Sequence, residues 1–371
     1  MTKIISYILA GGRVEELGVL TLRRPKCIVP FGGIYRFIDF ALTSLVSSGI
    51  GHIGILVQYN PMEVIQHIGS GESWDLLGKN RCIKILPPYI SEKGFEWYKG
   101  TADAVYQNLR FLHDHKPDNV LIVSGDHVHN MNYQKLIKFH EEKNADVTIG
   151  FVKVPIEQSS RFGVGIMDSD QRLVEYYEKV PEPKSSYASL TVYYFKREIL
   201  EEALHENAKL ESHEFGKDII PWLLKKKFNI YGYIYNGYWG YCRTIEEYMA
   251  ASMELLNEEN YIRIRDWNIR TNLEQKLNYD RAPAYTSSSS TVENSQLSRG
   301  CKILGTVKNS ILSPGVVVEK AAIVENSILF HDVHVGKNAI LYRVIADENM
   351  VFGDNVSIGD ETSITVVGIP K

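Results

Sequence analysis

Between residues 311 and 364 apolar side chains return every six positions, and nothing else in the chain restricts its fold as tightly. Ile311, Val317, Ile323, Leu329, Val335 and Leu341 keep this spacing; after a one-residue slip, Ala346, Phe352, Ile358 and Ile364 continue it. Glycine follows several of these positions, as in Val335-Gly336, Phe352-Gly353 and Ile358-Gly359. A six-residue period predicts a left-handed parallel β-helix, with one short strand per hexapeptide and three strands per coil. Stacked coils bury an aliphatic column that no single coil could bury alone. A β-sandwich is the alternative, but its alternation has period two and does not generate this series.

The first two thirds of the chain carry a different pattern. Ile4 to Leu9, Ile53 to Val57, Val120 to Val123 and Val147 to Val152 read as buried strands. Ile38 to Ser48, Thr101 to His113 and Tyr133 to Lys143 read as helices between them. Strands alternating with helices predict an α/β domain on a mostly parallel, Rossmann-like sheet. Ligands of such sheets bind beyond the carboxyl ends of the strands, which directs attention to Ala10 to Lys26 and to Gly125 to Tyr133. An amphipathic run, Thr244 to Arg265, closes the domain, and Arg281 to Glu293 (RAPAYTSSSSTVE) has the composition of a linker. The expected division is an α/β domain over 1–250, a connecting helix and linker over 251–293, and the β-helix over 294–371.

With 371 residues the chain exceeds one small core, and a net charge of −4 argues against a nucleic-acid partner. Cys27, Cys82, Cys242 and Cys301 stand singly, without the paired spacing of a zinc site or a disulfide framework. The opening MTKIISYILAGG is cut short by its glycines and lacks a small-residue cleavage site. It reads as a buried first strand rather than a signal peptide or membrane span, so a cytoplasmic protein without a membrane partner is expected.

The first strand runs into Leu9-Ala10-Gly11-Gly12-Arg13, where adjacent glycines allow backbone N–H groups to cradle phosphates. Such a pair alone is usually a turn; its continuation makes it specific. The segments Val29 to Phe40, Trp97 to Asn108, Ser124 to His127, Ser160 to Val164, Glu178-Lys179, Ala188-Ser189 and Phe215 to Pro221, followed by the solenoid, run in order. In these the chain resembles the ADP-glucose pyrophosphorylase (glucose-1-phosphate adenylyltransferase) family over nearly its full length. The resemblance implies that glucose 1-phosphate attacks the α-phosphate of ATP, giving ADP-glucose and pyrophosphate. Such a displacement is catalysed by positioning and by neutralising charge.

The resemblance assigns Lys26 and Asp126 to catalysis, with Asp126 also a Mg²⁺ ligand. It assigns Leu9, Ala10, Gly11, Gly12, Gly100, Thr101, Ala102 and Asp103 to the nucleotide, and Tyr98, Gly163, Glu178, Lys179 and Ser189 to the sugar phosphate. Arg23, Arg24 and Arg36 match positions that bind a sugar-phosphate effector at the domain interface; a solvated basic loop is the plainer reading of them. Other positions depart from the family. Val14 replaces a loop glycine, Glu16 replaces the triphosphate arginine, and Tyr241 and Arg243 replace the second metal aspartate and a glycine. Thr191 replaces a glycine in the sugar pocket. Val14 is expected to obstruct the backbone, Glu16 to repel the triphosphate, and Tyr241 to leave the Mg²⁺ site weak or absent.

This pattern resembles the family's regulatory subunits, which implies a hetero-oligomer, a tetramer, with a catalytic subunit in glycogen synthesis. Apolar positions on the solenoid, Val316, Val318 and Phe330, are expected to make subunit contacts. Two other readings stay open: a fully active nucleotidyltransferase with compensating residues, and a hexapeptide acyltransferase using His331 or His334 as general base.

Overall fold

The computed structural model describes residues 2–12, 14–91, 94–95, 97–258, 264–273 and 281–368. Arg13 of the glycine loop and part of the amphipathic run toward Arg265 lie outside these residues.

A nine-stranded sheet forms the first domain. Its parallel half runs from Asn119–Ser124 through Ile4–Leu9 and His52–Leu56 to the edge strand Cys82–Leu86. The other half turns antiparallel at Tyr187–Lys196, which pairs with Asn119–Ser124 and with Val147–Lys153. Burial on both faces explains the near-continuous apolar runs of the central strands. Ile8, Ile53, Ile55, Leu121 and Val123 face one core cluster, and Ile5, Tyr7, Leu56, Val120 and Ile122 face the other. Helices Phe37–Ser47 and Tyr133–Glu142 lie close to their expected positions. The run from Thr101 is two helices, Thr101–Gln107 and Leu109–His115, broken at Asn108. There the Asn108 side chain donates to the Ala104 carbonyl (2.8 Å) and to the Tyr98 hydroxyl (2.9 Å).

The second domain is a left-handed parallel β-helix with three five-stranded parallel sheets. Its strands begin at Tyr285–Thr286 and Thr291–Glu293, inside the stretch read as a linker. The hexapeptide signal is correct in period and wrong in phase at its start. Val318 pairs with Val335, Val324 with Leu341 and Leu329 with Ala346, each seventeen residues on. A coil therefore takes two six-residue sides and one of five, and the slip recurs every third strand. The interior column is Leu312, Val318, Val324, Leu329, Val335, Leu341 and Ala346. Ile311 faces the first domain instead, and Ile323 is exposed. Corner residues Asn309, Asn326 and Arg343 take positive φ, where asparagine is the best-tolerated side chain.

The domains share a core. Leu17, Phe31, Phe37 and Tyr248 pack against Ile311, Ile328, Phe330 and Ile345 of the solenoid. Gly33, at φ +84°, lets the solenoid approach: a Cβ there would lie 2.9 Å from the Ser298 hydroxyl oxygen. Val316 and Val318 are inside the solenoid and Phe330 is between the domains, all fully buried. The expectation that these residues offer an outer contact surface is therefore corrected. Among the described residues no helix is long and apolar enough to cross a membrane.

Candidate active site

A cleft of about 370 Å³ opens at the carboxyl ends of the parallel strands. Strand Ile4–Leu9 delivers Leu9, Ala10, Gly11 and Gly12 to it, and Asn119–Ser124 delivers Asp126 and His127. Gln58, just past His52–Leu56, also lines it. Opposite these stand Tyr98, Gly100 and Thr101. Gly100 must be glycine, because a Cβ would lie 2.2 Å from the His213 carbonyl oxygen. The Thr101 hydroxyl donates to Glu214 at 2.6 Å, fixing the start of its helix. Ala102 and Asp103 stand behind this wall: Asp103 accepts from the Lys99 amide and the Gln107 side chain, both at 2.8 Å. Its carboxylate secures the turn and is not part of the cleft lining.

Lys26 and Asp126 form the charged centre, with Nζ 2.9 Å from Oδ2. The Ser124 hydroxyl donates to the other carboxylate oxygen. The recessed position of Asp126 would raise its pKa. The charge of Lys26 and these hydrogen bonds outweigh that and hold the carboxyl well below the usual range. Burial pulls the His127 imidazole down to about 4, against the attraction of Asp126, so it is neutral at pH 7. Tyr241 covers this centre. Its ring centroid is 5.1 Å from Lys26 Nζ, stacked on Trp239 at 5.4 Å and edge-on to Phe162 at 4.9 Å. Arg161, paired with Glu247, sits 5.5 Å from the same ring. Tyr241 thus brings no carboxylate, and both oxygens of Asp126 are engaged. These residues do not fit a two-carboxylate Mg²⁺ site.

At the mouth, Arg243 Nε lies 2.9 Å from Glu16 Oε1. Hydrogen bonding within the Glu16 turn, followed by that from Arg243, lowers the Glu16 pKa. The charge of Glu16, expected to repel the triphosphate, is paired with a guanidinium. Val14 is also better accommodated than expected. It sits at φ −114°, ψ 109°, extended backbone that a β-branched residue adopts readily.

The expected sugar-phosphate residues are divided. Tyr98 lines the cleft, its hydroxyl donating to the Leu86 carbonyl at 2.9 Å. Gly163, Glu178, Lys179 and Ser189 are not part of its lining. The Tyr176 hydroxyl donates to Glu178 at 3.0 Å, and Lys179 Nζ is 3.5 Å from the same carboxylate. A Cβ at Gly163 would fall 1.8 Å from the Tyr176 hydroxyl oxygen. Thr191 lines the cleft at φ +54°, so its backbone holds a conformation suited to glycine.

The three arginines do not gather. Arg23 is exposed, whereas Arg24 and Arg36 are buried at the domain interface. Arg24 reaches Asp347 at 2.9 Å and Glu348 at 3.5 Å, and Arg36 reaches Glu348 at 3.3 Å. Carboxylates of the solenoid thus occupy the place expected for an effector phosphate. His331 is buried beside Glu348, which removes it as the general base of an open acyl-transfer groove.

Sequence reasoning missed Gln58, Glu214, His127 and Arg161. His127 and Arg161 stand within segments that carried the resemblance but were given no role, whereas Gln58 and Glu214 are tied to the site by tertiary contacts.

A Rossmann-like sheet with its cleft beyond the strand ends, joined to a hexapeptide solenoid, defines a nucleotidyl transferase. The nucleotidyl transferase family matches residues 5–258, and the GlmU-like C-terminal hexapeptide family matches 282–364. The chain is 39% identical to the glucose-1-phosphate adenylyltransferase of Bacillus thuringiensis (strain Al Hakam), covering 98% of this chain and 96% of that one. It is 44% identical to that of Clostridium acetobutylicum over 87% of this chain and 84% of the relative. It belongs to the glucose-1-phosphate adenylyltransferase, or ADP-glucose pyrophosphorylase, family.

Proposed function

We propose that this chain is a regulatory or weakly active subunit of an ADP-glucose pyrophosphorylase, paired with a catalytic subunit of the same family in a cytoplasmic hetero-tetramer for glycogen synthesis. The observation that carries the reading is Tyr241 over the Lys26–Asp126 pair, where a second carboxylate is needed. The protein's share of the work is then binding. Backbone at Gly11, Gly12, Gly100 and Thr101 receives the adenine nucleotide; Glu178, Lys179 and Ser189 orient glucose 1-phosphate. Mg²⁺ is held weakly or not at all by protein groups.

The test is pyrophosphate release by the purified chain with ATP, glucose 1-phosphate and Mg²⁺, beside calorimetric binding of each substrate. The expected result is binding with turnover at least about a hundredfold below that of a two-carboxylate relative. Turnover equal to such a relative would sink the proposal. One observation favours a fully active enzyme instead. Arg243, held at the mouth by Glu16, returns a guanidinium close to where the family's arginine is missing. Under that reading Arg243→Ala abolishes substantial turnover; under the first there is little to abolish.

A further inference from the structure

At the amino ends of the parallel strands, away from the cleft, three side chains with metal-ligating chemistry converge. His52 opens strand His52–Leu56 and Cys82 opens the edge strand Cys82–Leu86. The two residues are register partners in parallel strands, so their side chains stand next to each other on one face. His115, the last residue of helix Leu109–His115, closes over that face. One donor atom from each of the three lies within 4.8 Å of the other two. All three residues are partly buried.

The local hydrogen bonding already orients one ligand. His115 Nδ1 is 2.7 Å from the Phe111 carbonyl oxygen, which can only accept, so Nδ1 carries the proton. The Nε2 lone pair is thereby aimed at Cys82 Sγ, 3.4 Å away. A backbone carbonyl that fixes the tautomer in this way is the usual outer support of a metal-bound histidine. The spacing also fits. Zinc–nitrogen and zinc–sulfur bonds of about 2.0–2.1 and 2.3 Å at a tetrahedral angle place sulfur and nitrogen about 3.5 Å apart. The His52 and His115 rings stand 4.9 Å apart between centroids, so a small rotation of His52 supplies the third bond.

We propose that His52, Cys82 and His115 form a three-ligand site for a thiophilic divalent metal ion, Zn²⁺ being the ion that the nitrogen and sulfur donors favour. Calcium and magnesium ions, which take oxygen ligands, are not suited to it. Binding exchanges the cysteine S–H proton for a sulfur–metal bond and releases that proton to solvent. Burial pushes the Cys82 thiol up, and the positive charge of Lys84, on the same strand face, offsets part of that. A bound ion would tie the edge strand, its neighbour and the covering helix together. Three protein ligands leave a fourth tetrahedral position for water or a small ligand.

The test uses the full chain stripped with a chelator. Cys27, Cys242 and Cys301 are buried, so Cys82 is the accessible thiol of the four. Stoichiometric Zn²⁺ at about ten times its Kd is expected to slow iodoacetamide modification of Cys82 about tenfold, read by peptide mapping. Co²⁺ is expected to bind at one equivalent with a thiolate charge-transfer band that Cys82→Ser and His115→Ala both lose. Modification of Cys82 at an unchanged rate, or a band that persists in Cys82→Ser, would overturn the proposal. Should a variant fail to fold, the protection measurement on the unaltered chain still decides.

Discussion

Glu16 and Arg243 are about two-fifths exposed and 2.9 Å apart, so their attraction contributes little to folding. Toward an incoming polyanion the pair matters more, because removing either member leaves the other's charge at the mouth. Two unit charges about 4 Å apart interact by roughly 4 kcal/mol at an effective dielectric of 20, and exposure reduces this to about 1 kcal/mol. Arg243→Ala is therefore expected to weaken ATP binding about fivefold, and Glu16→Ala to tighten it by a similar factor. The double variant should return to within about twofold of the parent. Calorimetric titration of the four proteins checks this; an unchanged Kd in Arg243→Ala would mean that the pair does not face the ligand. Thr191 is a different residue-scale departure. At φ +54° it holds a backbone conformation that glycine adopts more easily than a β-branched residue, so this wall of the cleft carries local strain.

Among the elements, the solenoid is held by a repeated side-chain device as well as by its aliphatic column. The Ser310 amide donates to Ser295 Oγ at 3.1 Å, the Ser327 amide to Ser310 Oγ at 3.0 Å, and the Val344 amide to Ser327 Oγ at 3.0 Å. Ser310 and Ser327 are fully buried, so this ladder satisfies backbone donors at the corner that water cannot reach. Ser327→Ala is expected to destabilise the protein by about 2 kcal/mol, because it strands the buried Val344 amide. Urea unfolding checks it, and a loss under about 0.5 kcal/mol would show that another group takes the amide. The same region shows what was legible in the sequence. Period six is a property of one strand and its corner and is visible over a few neighbouring strands. The five-residue side is set by how coils stack, so Ile311, Val317 and Ile323 carry the right spacing while standing beside the interior column. The helical break at Asn108 was likewise hidden, because it comes with side-chain hydrogen bonds to Tyr98 and Ala104 that apolar periodicity does not register. At the site, the glycine pair could be read from the strand it follows, while Lys26 and Asp126 came from the family resemblance; the structure places both in the cleft. The Glu16–Arg243 pair spans 227 positions and needed the fold to become visible.

At the scale of the molecule, the two domains meet over charges as well as apolar side chains. Arg24 and Arg36 enter the interface from the first domain, while Asp347 and Glu348 enter from the solenoid. Breaking a buried pair costs more than the pair contributes, since it leaves an uncompensated charge. The cluster is thus a reason for the domains to hold one arrangement. It is also incompletely satisfied: Arg36 Nη1 is buried without a hydrogen-bond partner among the described residues. A phosphate carries more acceptor oxygens than Glu348 and matches the forked donors of arginine. Any anion that bound at Arg24 and Arg36 would have to displace Glu348. Glu348→Gln removes the competing charge and keeps the side-chain shape. It is expected to tighten binding of inorganic phosphate or a sugar phosphate at least about tenfold. It should also lower thermal stability in phosphate-free buffer, with recovery as phosphate is added. Calorimetry and thermal unfolding of parent and variant measure both effects. Equal phosphate affinity in the two proteins would assign Arg24 and Arg36 to domain docking alone.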